Sequence, residues 1–161
     1  MSTSVPVKTI LNTFLSRARA WTVDPLASCV FRKGPQFALN LGTADCACII
    51  ALRDLAGGEQ SAGSGNHFWH TWAFAVVLAV PDDETDPEAA EDMRLDLIDE
   101  FLSFMADIDT RTMFGGAKWG VVSGCSLGMG KVFTADDTIY RYADMTVEYR
   151  SLRSRSNLTE E

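Results

Sequence analysis

Two histidines, four cysteines, a run of carboxylates and a glycine-rich stretch are the residues of this chain from which a catalytic or ligand site could be built. His67 and His70 are the only imidazoles, so a general base or a zinc site of the usual kind has to draw on them. Three positions apart on an extended segment, they point to opposite faces of it. Cys46 and Cys48 share a face, but Cys-x-Cys without a second pair at metal spacing is a poor zinc signal, and buried strand residues are the simpler reading. Together with Cys29 and Cys125 they are expected to be reduced thiols packed as small apolar groups.

The stretch from residue 115 to 131 is rich in glycine, and Gly124 to Val132 invites comparison with a phosphate-binding loop, in which glycine amides and a lysine cradle phosphate. The spacing fails. The pattern needs glycine where Cys125 stands and Ser or Thr where Val132 stands, and the residues that follow are strand-like. The carboxylates from Asp82 to Asp92 fail as a calcium loop in the same way, with Pro87 and Met93 at the glycine and glutamate positions. A solvated loop leading into a helix N-terminus accounts for them. Neither Ser123 nor Ser126 has an identifiable base partner. No catalytic residue, cofactor or metal is therefore expected. A small enzyme or phosphate-binding protein using the 115–131 segment remains a minor alternative.

Apolar residues at helical spacing (Val7, Ile10, Leu11, Phe14, Leu15, Ala18) predict an amphipathic helix over Pro6 to Ala20. Cys46 to Leu55 reads as a strand, and Phe68 to Val80 as a much longer one. On the second, Phe68, His70, Trp72, Phe74, Val76, Leu78 and Val80 share one face, while Trp69, Thr71 and a row of alanines share the other. Gly57 to Asn66 is the expected flexible tip between them, making a hairpin that projects beyond the core and offers free edges to a neighbour.

Asp86 as cap and Pro87 in the first turn open a second helix, with Ala90, Met93, Leu97, Ile98, Phe101, Leu102, Met105 and Ile108 as its buried stripe. Loops and short strands are expected after Asp109, and a half-buried closing strand over Thr138 to Arg150. The expected architecture is α+β, an antiparallel or mixed sheet with a long projecting hairpin and two main helices on one face. One domain covers residues 1–150, followed by a polar tail over 151–161.

A hydrophobic fraction of 47% against 22% charged residues is ordinary for a globular domain. The net charge of −8 disfavours binding to a phosphate backbone. No run approaches the ~18 apolar residues of a membrane span, and the opening residues lack the pattern of a signal peptide, so a cytosolic product is expected. Of the four tryptophans, Trp69 stands out because it lies at the tip end of the long strand on its small-residue face, where an interface role is as plausible as burial.

The N-terminal helix, the hairpin around Cys46 to Val80, the helix after Asp86-Pro87 and the closing strand ending Met145-Thr146-Val147-Glu148-Tyr149-Arg150 together resemble the tail terminator family of long-tailed bacteriophages. The resemblance is one of element order and size and spans roughly Pro6 to Arg150. It implies a homohexameric ring, made in the host cytoplasm and carried in the virion. Such a ring caps the tail tube protein, ends its polymerisation and docks on the head-tail connector, with DNA passing through a negative lumen without specific binding and no membrane involved. A neck or head-completion protein and a tube-like protein that polymerises without limit are the alternatives of the same kind. The residues themselves, not the family, assign the expected interface to Gly57, Gly58, Glu59, Gln60, Ser64, Asn66, Trp69, Arg150, Arg153 and Arg155.

Overall fold

The computed structural model describes residues 6–34, 41–61, 63, 67–107, 110, 117–126, 132–135 and 138–154. Helix α1 (Val7–Ala20) is followed by a short 3-10 turn (Leu26–Ser28) and strands β1 (Cys29–Lys33), β2 (Cys46–Ser61) and β3 (His67–Pro81). Helix α2 (Pro87–Ala106) and strands β4 (Ala117–Ser126), β5 (Val132–Ala135) and β6 (Thr138–Ser154) complete the chain. The six strands form one sheet in the order β1-β2-β3-β6-β4, with β5 also on β6. Among the described residues only β1 and β2 run parallel. The fold is α+β, a mixed sheet with two helices, as the residue pattern implies.

Both helices form where their ends and stripes favour them. In α1 the Pro6 carbonyl accepts from the Thr9 and Ile10 amides, and Ile10, Phe14, Leu15 and Ala18 are buried. In α2 an Asp86 carboxylate oxygen accepts from the Ala89 amide at 3.1 Å, and Pro87, with no N–H to leave orphaned, occupies the first turn. The two helices meet through aromatic rings: Phe14 stands edge-on to Phe104 at 5.4 Å, and the Trp21 indole donates to Glu100 at 2.7 Å. Beneath them lie Cys46, Cys48 and Ile50 of β2, Phe74, Val76, Leu78 and Val80 of β3, and Ala143, Met145, Val147 and Tyr149 of β6. The alternation expected for β3 therefore holds, with its bulky face toward the helices.

A charged clamp fixes α2 to the sheet. Arg94 is buried and bonds Glu91 at 2.6 Å and the Tyr142 carbonyl at 3.3 Å, while Arg141 reaches Asp82 at 2.7 Å and Glu91 at 3.1 Å. Every cation in it has a carboxylate, which is the condition for burying charge tolerably.

Four features depart from the expected layout. β2 does not stop at Leu55 but continues through Gly57 and Gly58 to Ser61, because a bulge between Ala56 and Glu59, with Gly58 at φ 66°, lets pairing resume. The connection is thus shorter than Gly57 to Asn66, and Ser64 and Asn66 fall outside the described residues. β6 runs past Arg150 to Ser154, so the expected boundary between domain and tail lies inside a strand, because β3 pairs it from Tyr140 to Ser154. Arg155 is outside the described residues. β3 pairs β2 from Phe68 to Ala79 and β6 from His67 to Pro81, so the hairpin's inner strand is covered on both sides over Phe68 to Ala79. Finally, Cys29 and Cys46 are not separate thiols but a disulfide, because parallel β1 and β2 set them as direct neighbours with Cα atoms 4.5 Å apart. Cys48 is free and buried.

Candidate functional site

The helices stop short of the end of the sheet. On β2, Ile50 lies fully beneath them, whereas Leu52, the next residue on that side, is 45% exposed. Beyond it β2 carries two irregularities, at Leu52/Asp54 and Ala56/Glu59, and the second brings Glu59 opposite His70. There the His70 Nε2 and a Glu59 carboxylate oxygen are 2.8 Å apart, so with its proton on that nitrogen the imidazole donates to the carboxylate. The Trp72 ring stands 5.9 Å from His70 and its indole donates to the Ser151 hydroxyl at 3.2 Å.

Glu59, His70 and Ser151 thus stand side by side on three adjacent strands, in the residue types of a hydrolase triad. The geometry does not support that chemistry. Ser151 is 1% exposed, its hydroxyl already accepts from Trp72, and the other imidazole nitrogen, buried Nδ1, has no hydrogen-bond partner, so it does not touch Ser151. A nucleophile needs a base at hydrogen-bond distance and a path for substrate. The cluster instead clips the far ends of β2, β3 and β6 together. Spacing along the sequence places this histidine on the bulky face of β3 but does not show its partner, because Glu59 is brought to it by a two-residue bulge.

The opposite face of the sheet carries a second grouping. The Arg150 guanidinium lies 5.4 Å from the centre of the Trp69 ring, a cation–π contact between two half-buried side chains that contributes about 0.5–2 kcal/mol. Gln60 is the cross-strand partner of Trp69. Further along, Arg53 reaches across β3 and donates to the Thr146 hydroxyl of β6 at 2.8 Å. Ala75, the register partner of Thr146 on β3, puts only a methyl group on this path. Ala47, Ile49, Ala79 and Tyr140 form a small apolar cluster near the other end.

Of the expected interface residues, the structure brings Gln60, Trp69 and Arg150 together on this face. Glu59 lies on the helix side with His70, Arg153 is exposed opposite Phe68, and Gly57 and Gly58 form the bulge. Arg53 was not anticipated, and its position inside a bulge gives no periodic signal.

Elsewhere the surface offers little chemistry. A cleft between the 3-10 turn and α2 is lined by Asp24, Asp96, Asp99 and Glu100, but no group of His, Cys, Asp or Glu among the described residues could hold a metal ion. Gly124 and Cys125 belong to β4 and not to a loop opening a helix. No helix among the described residues is long and apolar enough to cross a membrane. Comparison with protein-family models and with curated proteins finds no match.

Proposed function

We propose that this chain is a structural component of a phage tail, a terminator whose copies form a ring on the end of the tail tube, end its growth and present the surface that meets the head connector. The observation that carries the reading is the length of β2, β3 and β6, at 16, 15 and 17 residues, whose shared end outruns the helices. Strands in single domains usually run about 5–6 residues, so most of this length exceeds what a two-helix cover can use. An extended sheet end with an arginine–tryptophan face, and with no described strand on the outer side of β2 beyond Ile50, is a surface built for protein contact.

The neighbouring role of a neck protein shares these features and is separated from this one by what the ring binds. Electron microscopy of the purified protein, alone and mixed with tail tubes, tests the proposal. Closed rings seated on tube ends are expected. Rings that bind only the head portal point to the neck, open filaments point to a tube protein, and single copies on assembled particles refute a ring altogether.

A further inference from the structure

Charge is divided unevenly across the sheet. α1 and β1 hold Lys8, Arg17, Arg19, Arg32 and Lys33 and no carboxylate, whereas α2 holds six carboxylates, Glu88 to Glu100, against the single Arg94. α1 packs on β1 and β2, and α2 on β3, β6 and β4. The basic helix therefore covers the β1 flank of the sheet and the acidic helix the β4 flank, the two meeting along their inner edges, where Phe14 touches Phe104 and Trp21 bonds Glu100.

Each flank carries an exposed helical stripe. On α1 it is Lys8, Asn12, Ser16 and Arg19. Asn12 accepts from the Lys33 ammonium at 3.0 Å and Arg19 donates to the Phe31 carbonyl at 3.2 Å, which lays this stripe along β1. On α2 it is Glu88, Asp92, Leu95, Asp99 and Leu102, at the spacing of one helix face. Leu95 and Leu102 are 48% and 41% exposed, and Leu102 borders a groove floored by Gly120, Val121 and Val122 of β4. Two leucines between carboxylates on the water side of a helix add nothing to the chain's own core.

We infer that the basic α1–β1 flank of one copy docks on the acidic, leucine-bearing α2 stripe of the next, head to tail. This rests on the ring reading above and names its joint. The occupant is a second copy because the complement of each stripe is carried by the same chain, while the α1 stripe lies along β1 on the side of the helix away from α2. Contacts between two different patches propagate around an axis, and a rotation that closes them makes a ring. The arrangement also answers a physical difficulty, since chains of net charge −8 repel one another unless opposite local charges face across the joint.

Light scattering on the full chain and on two charge-reversed variants, Lys8→Glu with Arg19→Glu and Asp92→Lys with Asp99→Lys, tests the joint. All four side chains are exposed, and thermal melting confirms that each variant folds. Each variant alone is expected to need at least about tenfold more protein to assemble, and a one-to-one mixture to assemble as the unmodified chain does, because both joints of an alternating ring are then complementary. Assembly of the unmodified chain should also weaken as salt screens the joint. If each variant assembles normally, or the mixture fails to recover, the inference falls while the ring stands. Should the unmodified chain stay single both in solution and on tails, the ring falls and takes the inference with it. Capture of duplex DNA by the basic flank, abolished in the first variant with assembly untouched, also overturns it.

Discussion

Gly120 of β4 lies against the Tyr149 ring so closely that a Cβ there would stand 2.5 Å from Cε1, 2.7 Å from Cζ and 2.8 Å from the hydroxyl oxygen. Relief needs a shift of about 1 Å to reach ordinary contact distance. The ring has nowhere to go. Tyr149 is 1% exposed, stands edge-on to Phe14 at 6.3 Å and to Phe74 at 6.4 Å, and its hydroxyl donates to the Thr110 carbonyl at 3.1 Å. Overpacking of this kind costs about 1–3 kcal/mol, and losing the hydroxyl's bond adds about 1 kcal/mol. Gly120→Ala should therefore destabilise by about 2–4 kcal/mol, a fall in Tm of about 5–15 °C for a chain of this size. Urea and thermal melts at fixed protein concentration measure it. The decisive comparison is a cycle with Tyr149→Leu, in which the added methyl should cost less than about 1 kcal/mol because the atoms it meets are gone. An unshifted Gly120→Ala melt, or strictly additive effects, would refute the close approach and with it the placement of β4 on β6.

Two other perturbations follow from the titrating groups. The hydrogen bond from Arg94, helped by Arg141, holds the Glu91 carboxyl below its ordinary value of 4.5 against the opposing effect of burial. The stabilisation is thus fully present above that value and lost as pH falls through the lowered one; urea midpoints should drop between about pH 5 and pH 3, and Glu91→Gln should flatten part of that slope. Burial pushes the Cys48 thiol up to about 12, so at pH 8 it should resist iodoacetamide in the folded chain and react on unfolding. Peptide mapping separates it from Cys125, and rapid native labelling of Cys48 would contradict its position.

How much could be read without coordinates differs by element. The α1 stripe, the Asp86-Pro87 start and both faces of β3 were legible because each is a local period or cap carried by residues within one element, and so was most of the α2 stripe, although Leu102, expected in it, is 41% exposed while Phe104 is buried, and Ile108 lies outside the described residues. β1 was not, being five residues long and held by parallel pairing to a strand met later in the chain. The sequence alone therefore determined the α+β class and the main elements, which depend on residue type and short spacing. Only the tertiary structure decided what depends on register. The double-glycine bulge turned Glu59 toward His70, the β3–β6 register stacked Arg150 on Trp69, the β1–β2 register joined Cys29 to Cys46, and the strand order set the basic helix over β1 and β2 and the acidic helix over β3, β6 and β4. Pairing between strands is set by the whole core at once, and a shift of one residue would reverse every face.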